Sequence, residues 1–378
     1  MWDDRNYMKI VIATGIFIPE IGGPATYAVK ITEELLKLGH EVKIVSYSDQ
    51  SEYDFDKDLV YPVFRIKRTN KLVNYFNYFK TLQKVAKDAN RIYSFDHFSA
   101  GIPTALFCSI FKKDFYIRVG GDFIWERYLD LHEETISLAD FYKQGLHLTA
   151  EKKRFKIISW VFHRTTGIIF TTTFQLKIFQ EYYKLAPERL FIVNNPINKV
   201  TQISRDNVNK EIIMAGRFIN KNNILNLIKA FKDIKDHSYK LILIGEGSIK
   251  PKMVQLIKEL NVSDRISIET KLSREDLGKR MANAYFGIWP SLTDISPNSM
   301  LESLSANVPV VSSTEIGFDW LKDKIKTFDP RDVSDITKTI NSLLNPVEYQ
   351  KYQKNINSIN YEYTYIQAAK DTIDILKT

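Results

Sequence analysis

The sequence predicts an α/β protein with two doubly wound parallel sheets, each in a domain of its own. Short β-branched runs alternate with longer segments of helical spacing from the N-terminus onward. A polar stretch after Pro196 interrupts this alternation, and a fresh strand pattern then restarts it. The length of 378 residues agrees with two domains, because a chain of this size exceeds one comfortable hydrophobic core.

The first half has the alternation that is typical of a parallel sheet covered by helices on both faces. The run MKIVIATGIF predicts the first strand, and the apolar residues of the helix after it share one face that ends at Gly39. Helical spacing also marks 75–88 and 151–163. Six further buried strands are predicted in EVKIVSYS, PVFRIKR, RIYSFD, DFYIRVG, TGIIFTT and RLFIVNN.

The second half starts again with the strand IIMAGRF, after the polar linker INKVTQISRDNVNKE. Further strands are predicted in KLILIGEG, RISIET, FGIWPS and VPVVSS, and helices at about 225–235, 252–260, 274–283 and 298–306. We expect domains at 1–198 and 199–355, with a helical tail at 356–378 that crosses back to the first. Ligands of open parallel sheets bind beyond the carboxyl ends of the strands, so two facing sheets predict a cleft between the domains.

Composition excludes several classes of protein. Hydrophobic residues are 44% and charged residues 26% of the chain, as in ordinary globular proteins. Cys108 is the single cysteine, so no intrachain disulfide forms and a reducing compartment is expected. The start MWDDRNYMKIVIATG lacks the positive region of a secretory signal, and no apolar run approaches the roughly 18 residues of a membrane span. We expect a cytoplasmic protein.

The formal charge of +8 is concentrated in the first half. Residues 61–118 contain 11 Lys and Arg against three Asp, and residues 141–177 contain 7 against Glu151 alone. Such surfaces suit phosphate, nucleic acid or anionic lipid. Nucleic acid is excluded as a partner, because no recognition motif occurs and the charge does not form a tail.

The stretch KKRFKIISWVFHR at 152–164 mixes cations with Phe155, Ile157, Ile158 and Trp160. Two interpretations stay open. An interfacial helix would place the protein peripherally at the inner face of the cytoplasmic membrane, on an anionic surface. A core helix with a solvated basic face would give the same pattern.

The most informative segment is PSLTDISPNSMLESLSANVPVV, at 290–311. It contains Asp294 and Glu302, seven residues apart, and a helix is predicted to begin near Asn298. The unpaired amides and positive dipole end of a helix start suit a diphosphate. Glu302 lies one turn further in, where its carboxylate can accept hydrogen bonds from a ribose diol.

This segment resembles the signature of glycosyltransferase family 4, in which two such acids precede a helix turn rich in small residues and a PVV strand. The resemblance implies a GT-B fold. It also implies that Glu302 holds the donor ribose and that the amides at Asn298 and Ser299 hold the diphosphate. The first acid lies near the donor sugar and is usually Glu, whereas this chain has the shorter Asp294.

A second similarity lies in AGRFINKN, at 215–222. Family members carry an Arg just after the first strand of this domain and a Lys five residues later, both directed at the diphosphate. Arg217 fits the first position. The Lys position falls on Asn222, so we assign the second role to the adjacent Lys221. Preorganised cations stabilise the charge that gathers on a departing nucleoside diphosphate.

Further segments match in the family's order. IGGPATYAVKITEELLKLGHEV resembles the first glycine-rich loop and helix, where Gly22 and Gly23 allow close approach of the backbone to donor phosphates or sugar. VNNPIN, at 193–198, resembles the turn before the linker, although Pro196 replaces the usual glycine. LILIGEGS resembles the glycine turn after the second strand of the donor domain.

One departure concerns chemistry. Many family members have a His after the fifth strand, whereas this chain has RVGGDFIWER, with Asp122 in that neighbourhood. A motif of the form GD followed by WE occurs in a subset of the family. Asp122 either takes up the acceptor proton or binds the transferred sugar, or it caps the helix that follows. His97, in FDHFSAG, is a second catalytic candidate or a structural histidine.

Taken together, the resemblance implies a retaining transferase that moves a hexose from a nucleoside diphosphate sugar to a glycan or lipid-linked acceptor in cell-surface polysaccharide synthesis. No cofactor is expected. The run Asp54, Asp56 and Asp58 lies far in sequence from the donor motifs, and two cations with a helix start replace a metal. The base, the sugar and the acceptor stay open.

Each candidate donor-binding residue also has an interpretation without a functional role. Asp294 and Glu302 also fit a loop acid and a solvated helix acid, Arg217 and Lys221 fit surface cations, and the two glycines fit a simple turn. At the level of function, a nucleotide-sugar epimerase of the same fold and a catalytically silent binding protein stay open. A nicotinamide dehydrogenase is excluded, because no G-x-G-x-x-G follows the first strand of either half.

Overall fold

The computed structural model describes residues 7–20, 22–197, 205, 208–359 and 361–378. The chain divides into two compact units. The first contains Met1–Phe123, His147–Pro196 and Tyr363–Thr378, and the second contains Ile124–Leu146 and Ile197–Glu362. The N-terminal residues before Tyr7 and most of the predicted linker, including Asn198, lie outside the described residues.

The first unit has a seven-stranded sheet of order β3-β2-β1-β4-β5-β6-β7. Every neighbouring pair is parallel. Buried Ile and Val residues fill its central strands. The strands are β1 (Lys9–Thr14), β2 (Glu41–Ser48), β3 (Val63–Lys67), β4 (Arg91–Ser94), β5 (Phe115–Val119), β6 (Gly167–Phe170) and β7 (Leu190–Ile192).

Helices connect these strands. They are α1 (Gly23–Lys37), α2 (Lys71–Val85), α3 (Gly101–Phe111), α4 (Phe123–His132), α5 (Leu138–Lys143), α6 (Leu146–Thr149), α7 (Lys152–Arg164) and α8 (Thr173–Tyr183). The helix predicted at 75–88 begins earlier, at Lys71. The cause is Asn70, whose side chain accepts a hydrogen bond from the Val73 amide at 3.0 Å and caps the helix.

The second unit has a six-stranded sheet of order β10-β9-β8-β11-β12-β13, again parallel throughout. Its strands are β8 (Glu211–Ala215), β9 (Lys240–Ile244), β10 (Ile266–Glu269), β11 (Phe286–Trp289), β12 (Val310–Ser313) and β13 (Lys326–Phe328). The connecting helices are α9 (Ile224–Lys232), α10 (Lys250–Glu259), α11 (Arg274–Ala282), α12 (Asn298–Ser305), α13 (Asp319–Lys322), α14 (Val333–Leu343) and α15 (Pro346–Ile356). Two doubly wound parallel sheets confirm the predicted fold class.

Two segments of the chain pack with a different unit from the one formed by their neighbours in sequence. The final helix, α16 (Tyr365–Leu376), packs against α1 of the first unit and places Ala368, Ala369 and Ile373 in its core. Residues 124–146 precede the linker but belong to the second unit. The domain bounds taken from the sequence stay a prediction.

Contacts with the loops of the second sheet hold residues 124–146 in place. The Leu138 amide donates to Thr293 Oγ1 at 2.9 Å, and Arg331 forms an ion pair with Asp140 at 2.6 Å. Asn220 Nδ2 donates to Asp130 at 3.2 Å. This segment therefore lies beside the loops that follow the strands.

Candidate functional site

The candidate donor residues of the second unit surround a topological switch point. The three strands that come first in sequence, β8 to β10, occupy one half of the sheet, and β11 to β13 occupy the other. Chain direction across the sheet therefore reverses between β8 and β11. The loop after β8 carries Arg217 and Lys221, and the loop after β11 carries Asp294 and leads into α12. In open parallel sheets this position is where ligands bind.

The glycine turn after β9 contacts the backbone of the loop after β8 and holds that loop in place. The Phe218 amide donates to the Glu246 carbonyl at 2.9 Å. A Cβ at Gly245, whose φ is +152°, would lie 2.0 Å from the Gly216 carbonyl oxygen. Only glycine fits there. The turn LILIGEGS therefore supports the Arg217 loop through close backbone contact.

Arg217 itself is exposed, and its guanidinium has no hydrogen bond or ion pair to the described residues. Its carbonyl accepts a hydrogen bond from Asn222 Nδ2 at 2.6 Å, which closes the loop. An exposed guanidinium on a fixed loop is suited to an anionic ligand. Asn222, which stands at the family's Lys position, thus shapes the loop.

Lys221 lies in a short 3-10 turn at Asn220–Asn222 and is mostly buried. Its carbonyl accepts from the Leu292 amide at 2.9 Å, which ties the loop after β8 to the loop after β11. Its ammonium nitrogen lies 3.1 Å from Glu126 Oε1. Lys221 is therefore directed into the switch-point region, where it already has a carboxylate partner.

Asp294 sits where the loops after β11 and β12 pair. Its amide donates to the Glu315 carbonyl at 2.8 Å, and its carbonyl accepts from the Gly317 amide at 2.9 Å. Burial raises the pKa of Asp294, while the charge of Lys221 and the Ser296 amide lower it and Glu126 raises it. Asp294, Lys221 and Glu126 therefore share one electrostatic neighbourhood.

The start of α12 differs in detail from the prediction. Pro297 precedes the helix, and the Asn298 amide is bonded to the Ser296 carbonyl at 2.9 Å. The amides of Ser299 and Met300 have no acceptor within the described residues. The Ser299 hydroxyl accepts from Trp289 Nε1 at 2.8 Å. A ligand at this helix start would therefore meet the amides of residues 299 and 300 first.

Glu302 lies one turn into α12 and is largely buried. Arg274, the first residue of α11, donates to its carboxylate. Burial raises the pKa of Glu302, and Arg274 opposes this effect. The Glu302 carboxylate, which we expect to bind the ribose, is therefore oriented by Arg274. The sequence analysis did not identify this cation.

Glu126 and Arg274, which contact the predicted site residues Lys221 and Glu302, were missed by the sequence analysis. Glu126 stands in the motif GDFIWE, but sequence reasoning placed the motif's chemistry on Asp122 alone. Its contact with Lys221 joins residues 95 positions apart, which no local pattern reveals. Arg274 had a weak signal, as a cation at the start of a predicted helix.

Gly22 and Gly23 lie at the start of α1 in the first unit. A Cβ at Gly22 would lie 2.9 Å from Ile16 Cδ1, so close packing restricts this position. No atom within 4 Å would meet a Cβ at Gly23, which faces open space. Packing thus explains the first glycine and not the second, and their donor role stays a prediction.

The two catalytic candidates of the first unit are both buried. Asp122 is 1% exposed and directly precedes α4, in the position of a helix cap. His97 is 7% exposed, and its ring lies 5.4 Å from that of Phe162. These surroundings agree with the structural interpretations of both residues. Their catalytic roles stay predictions.

The Asp54, Asp56 and Asp58 run forms a 3-10 turn in the first unit. Asp56 receives two hydrogen bonds from Arg65, at 2.7 and 2.6 Å, and this guanidinium lowers its pKa. Asp56 is thus committed to a structural ion pair. In the described part of the chain, no group of three or more His, Cys, Asp or Glu residues could hold a metal ion.

The stretch at 152–164 is one helix, α7, and its faces correct part of the sequence interpretation. Phe155 and Ile158 point into the core, at 9% and 0% exposure. Ile157 and Trp160 are 41% and 37% exposed. Of the four apolar residues considered from the sequence, only Ile157 and Trp160 are therefore available to a partner. None of the described helices is long and apolar enough to cross a bilayer.

Two all-parallel, doubly wound sheets, one carrying cations and a helix start at its switch point, define the GT-B class of glycosyltransferase folds. Anabaena HepE, solved in complex with UDP and glucose, has the same fold. It superposes with a TM-score of 0.75 at 14% identity, over 98% of this chain and 99% of that one.

Residues 198–359 match the family model described as Glycosyl transferases group 1. An uncharacterized glycosyltransferase of Methanocaldococcus jannaschii is 26% identical over 289 residues, which are 72% of this chain and 64% of that protein. This chain thus spans less than two thirds of that relative. The Campylobacter jejuni N-acetylgalactosamine-N,N'-diacetylbacillosaminyl-diphospho-undecaprenol 4-alpha-N-acetylgalactosaminyltransferase is 23% identical over 309 residues, 79% of each chain.

Proposed function

We propose that this protein is a retaining glycosyltransferase that moves a hexose from a nucleoside diphosphate sugar to a glycan or lipid-linked acceptor. One observation carries the proposal. Arg217 and Lys221 on one side, and Asp294 with the start of α12 on the other, flank the switch point of the second sheet. The match to group 1 glycosyl transferases covers the same unit.

In this proposal the donor diphosphate lies between the exposed Arg217 guanidinium, the Lys221 ammonium and the amides of Ser299 and Met300. Glu302 accepts hydrogen bonds from the ribose diol. UDP in the HepE complex supports a nucleoside diphosphate as the ligand, since that protein shares the fold.

The reaction breaks the bond between the anomeric carbon and the diphosphate oxygen and forms a bond from that carbon to the acceptor oxygen. The departing diphosphate gains negative charge, which Arg217, Lys221 and the helix start stabilise without reorganisation. These groups supply the charge that a metal would otherwise provide, so we propose a metal-independent transfer. Asp122 and His97 stay the candidates for receiving the acceptor proton or contacting the sugar.

A lipid-linked acceptor is favoured by the Campylobacter jejuni relative, whose name contains a diphospho-undecaprenol acceptor. The stretches 61–118 and 141–177 of the first half are basic and contain few acids, which favours binding near an anionic membrane surface. We therefore place the reaction in cell-surface polysaccharide synthesis, at the inner face of the cytoplasmic membrane.

The proposal is tested first by thermal-shift screening of nucleoside diphosphates and their sugars. A ligand that binds only the folded state at 100 times its Kd adds about 2.7 kcal/mol of stability. The binding nucleotide is then used as a labelled sugar donor, with and without EDTA. Transfer that survives EDTA and retains the anomeric configuration is expected.

A matched pair of variants tests whether the nucleotide binds at the proposed donor site. Arg217→Ala should reduce the thermal shift, whereas Lys229→Ala, which removes an exposed cation from α9, should keep it. If no nucleoside diphosphate stabilises the protein, the proposed donor site is wrong. Inhibition by EDTA that Mg or Mn reverses would overturn the metal-independent mechanism.

A further inference from the structure

Three neighbouring helices of the first unit, α2, α3 and α7, form a continuous outer layer. Phe79 of α2 contacts Phe107 and Phe111 of α3, with ring centroids 5.9 and 6.3 Å apart. The start of α3 packs on α7, where a Cβ at Gly101 would lie 3.7 Å from Val161. Right-handed crossovers place these helices on one side of the sheet, and α1 with α16 lies on the other.

The outer face of this three-helix layer exposes many large apolar side chains. Their exposed fractions range from 37% to 80%. A typical soluble surface scatters such residues singly, whereas here they continue across three adjacent helices. They are Leu72, Val73 and Phe76 on α2, Leu106, Ile110 and Phe111 on α3, and Ile157 and Trp160 on α7.

The same layer is basic and contains no acid. Within these three fully described helices no Asp or Glu occurs. Of the acids next to them, Asp88 pairs with Lys9 and Asp114 with Arg91, both outside the layer. Glu151 pairs with Arg154 of α7, and Asp96 accepts hydrogen bonds from the Ser99 hydroxyl and the Ala100 amide at the start of α3. Exposed cations of the layer are Lys71, Lys80, Lys84, Lys152, Lys153, Lys156 and Arg164.

We infer that the three-helix layer is a docking surface for an anionic lipid bilayer. Apolar side chains among unopposed cations match both parts of such a surface, with apolar groups entering the acyl boundary and cations meeting the headgroups. Trp160 and Arg164 illustrate the pairing, because the guanidinium lies 5.9 Å from the indole centroid. Amphipathic aromatics of this kind prefer the membrane interface.

Other occupants fit less well. A two-fold contact between copies of this chain would place the same basic face against itself, and like charges would oppose it. Nucleic acid would use the cations but leave Leu72, Ile110 and Phe76 without apolar partners. An anionic bilayer satisfies the charges and the apolar groups together.

This inference goes beyond a lipid-linked acceptor, because it names the surface that meets the membrane. It rests on the proposed function only to explain why the protein would bind a membrane. Vesicle binding needs neither donor nor acceptor. It is therefore measured separately from sugar transfer, and failure of one leaves the other standing.

The experiment is co-sedimentation of the full chain with phosphatidylcholine vesicles and with vesicles that also contain phosphatidylglycerol. Ionic strength is varied between about 0.01 and 1 M, where the Debye length falls from about 30 to about 3 Å. We expect binding that prefers the anionic vesicles and fades with salt. Each cation near an anionic surface is worth about fivefold, so K152Q/K153Q/K156Q should lower partitioning on the order of a hundredfold at low salt.

Matched controls separate the layer from overall charge and hydrophobicity. K229Q/K232Q/K235Q removes as many exposed cations from the second unit, and should bind like the wild type. Leu72→Gln with Phe76→Gln should weaken binding, whereas Val254→Gln with Val347→Gln, which also removes exposed apolar groups, should not. Brominated lipid should quench the emission of Trp160, and Trp160→Phe should lose that part of the quenching.

Absence of vesicle binding by the wild type overturns the inference. So does equal binding by the layer variants and their controls. A wild type that forms a dimer which Phe76→Gln disrupts, without any preference for anionic vesicles, would instead show a protein interface.

Discussion

The Glu126 carboxylate lies 3.1 Å from the ammonium nitrogen of Lys221, one of the two cations that we expect to meet the donor diphosphate. Glu126 comes from the segment 124–146, which joins the second unit although it precedes the linker in sequence. A negative charge thus sits beside the proposed site for a strongly anionic ligand. It orients Lys221 and would at the same time repel such a ligand.

Glu126→Gln should therefore tighten the binding of nucleoside diphosphate. The amide keeps the size of the side chain and removes the repulsive charge. For a partly screened pair this is worth about 1 kcal/mol, or about fivefold in Kd. Calorimetry measures the change. Glu133→Gln is the matched control, because Glu133 lies on the same segment and pairs with the exposed Lys252. Equal or weaker binding by Glu126→Gln would argue against a repulsive role.

Glu302→Ala should weaken binding of the whole nucleotide. It removes charge-assisted hydrogen bonds to the ribose diol, which cost about 1.5 to 3 kcal/mol when lost. Glu259→Ala, in α10 of the same unit, controls for loss of a helix carboxylate. Calorimetry with a nucleoside diphosphate and with free inorganic diphosphate separates the roles. The variant should lose affinity for the first and keep its affinity for the second, and unchanged nucleotide affinity contradicts the ribose assignment.

Arg217→Ala should lower turnover on the order of a hundredfold, because the guanidinium stabilises charge on the leaving group. Its stability should change little, since Arg217 is exposed, its guanidinium is bonded to no described residue, and the hydrogen bond from Asn222 goes to its backbone carbonyl, which the variant keeps. Denaturation midpoint and kcat are both measured, with Lys229→Ala as the control. Near-normal kcat would show that Arg217 is not part of the chemistry.

Local patterns made the fold predictable. In the strand Lys240–Ile244 every residue after the exposed Lys240 is apolar and buried, and the helix Asn298–Ser305 contains the second of two acids in a recognisable pair. Boundaries were less accurate where a single cap decides them, as Asn70 does for α2. The short strand Lys326–Phe328 was missed, because three residues carry no period.

The site was predictable only where it is local in sequence. Arg217, Asp294 and Glu302 each lie in a motif with a readable order. The Arg274 contact with Glu302 depends instead on how α11 and α12 pack, and the Glu126 contact with Lys221 depends on a segment that changes units. Side-chain partners of this kind follow from tertiary packing, which one sequence does not encode in its spacing.

Asp56→Ala should destabilise the first unit. Arg65 is almost completely buried at its side chain and donates two hydrogen bonds to Asp56. Removing one partner of a buried pair leaves an uncompensated charge and costs about 3 kcal/mol. Chemical denaturation measures the loss. Asp54→Ala, in the same turn, is the control and should have a small effect. A stable Asp56→Ala protein would mean that Arg65 finds other acceptors.

Asp294 should make the stability of the protein depend on pH. Burial raises the pKa of Asp294 in the folded state, so the folded protein holds this proton more tightly than the unfolded chain does. Stability from this group is fully present below the unfolded pKa, about 3.9, and is lost as pH rises through the folded pKa. Asp294→Asn cannot ionise, so it should be more stable than the wild type at pH 7. Each tenfold difference in proton affinity between the two states contributes about 1.4 kcal/mol.

The advantage of Asp294→Asn should shrink as pH falls and vanish below about 3.9, where the wild-type carboxyl becomes protonated in both states. Asp329 is a control of opposite sign, because Arg331 lowers its pKa. Asp329→Asn should therefore lose stability at pH 7 and recover toward the wild type only in strong acid. Denaturation of both variants between about pH 3 and 8 separates the two signs. A stabilisation of Asp294→Asn that does not depend on pH would show that packing, rather than ionisation, explains it.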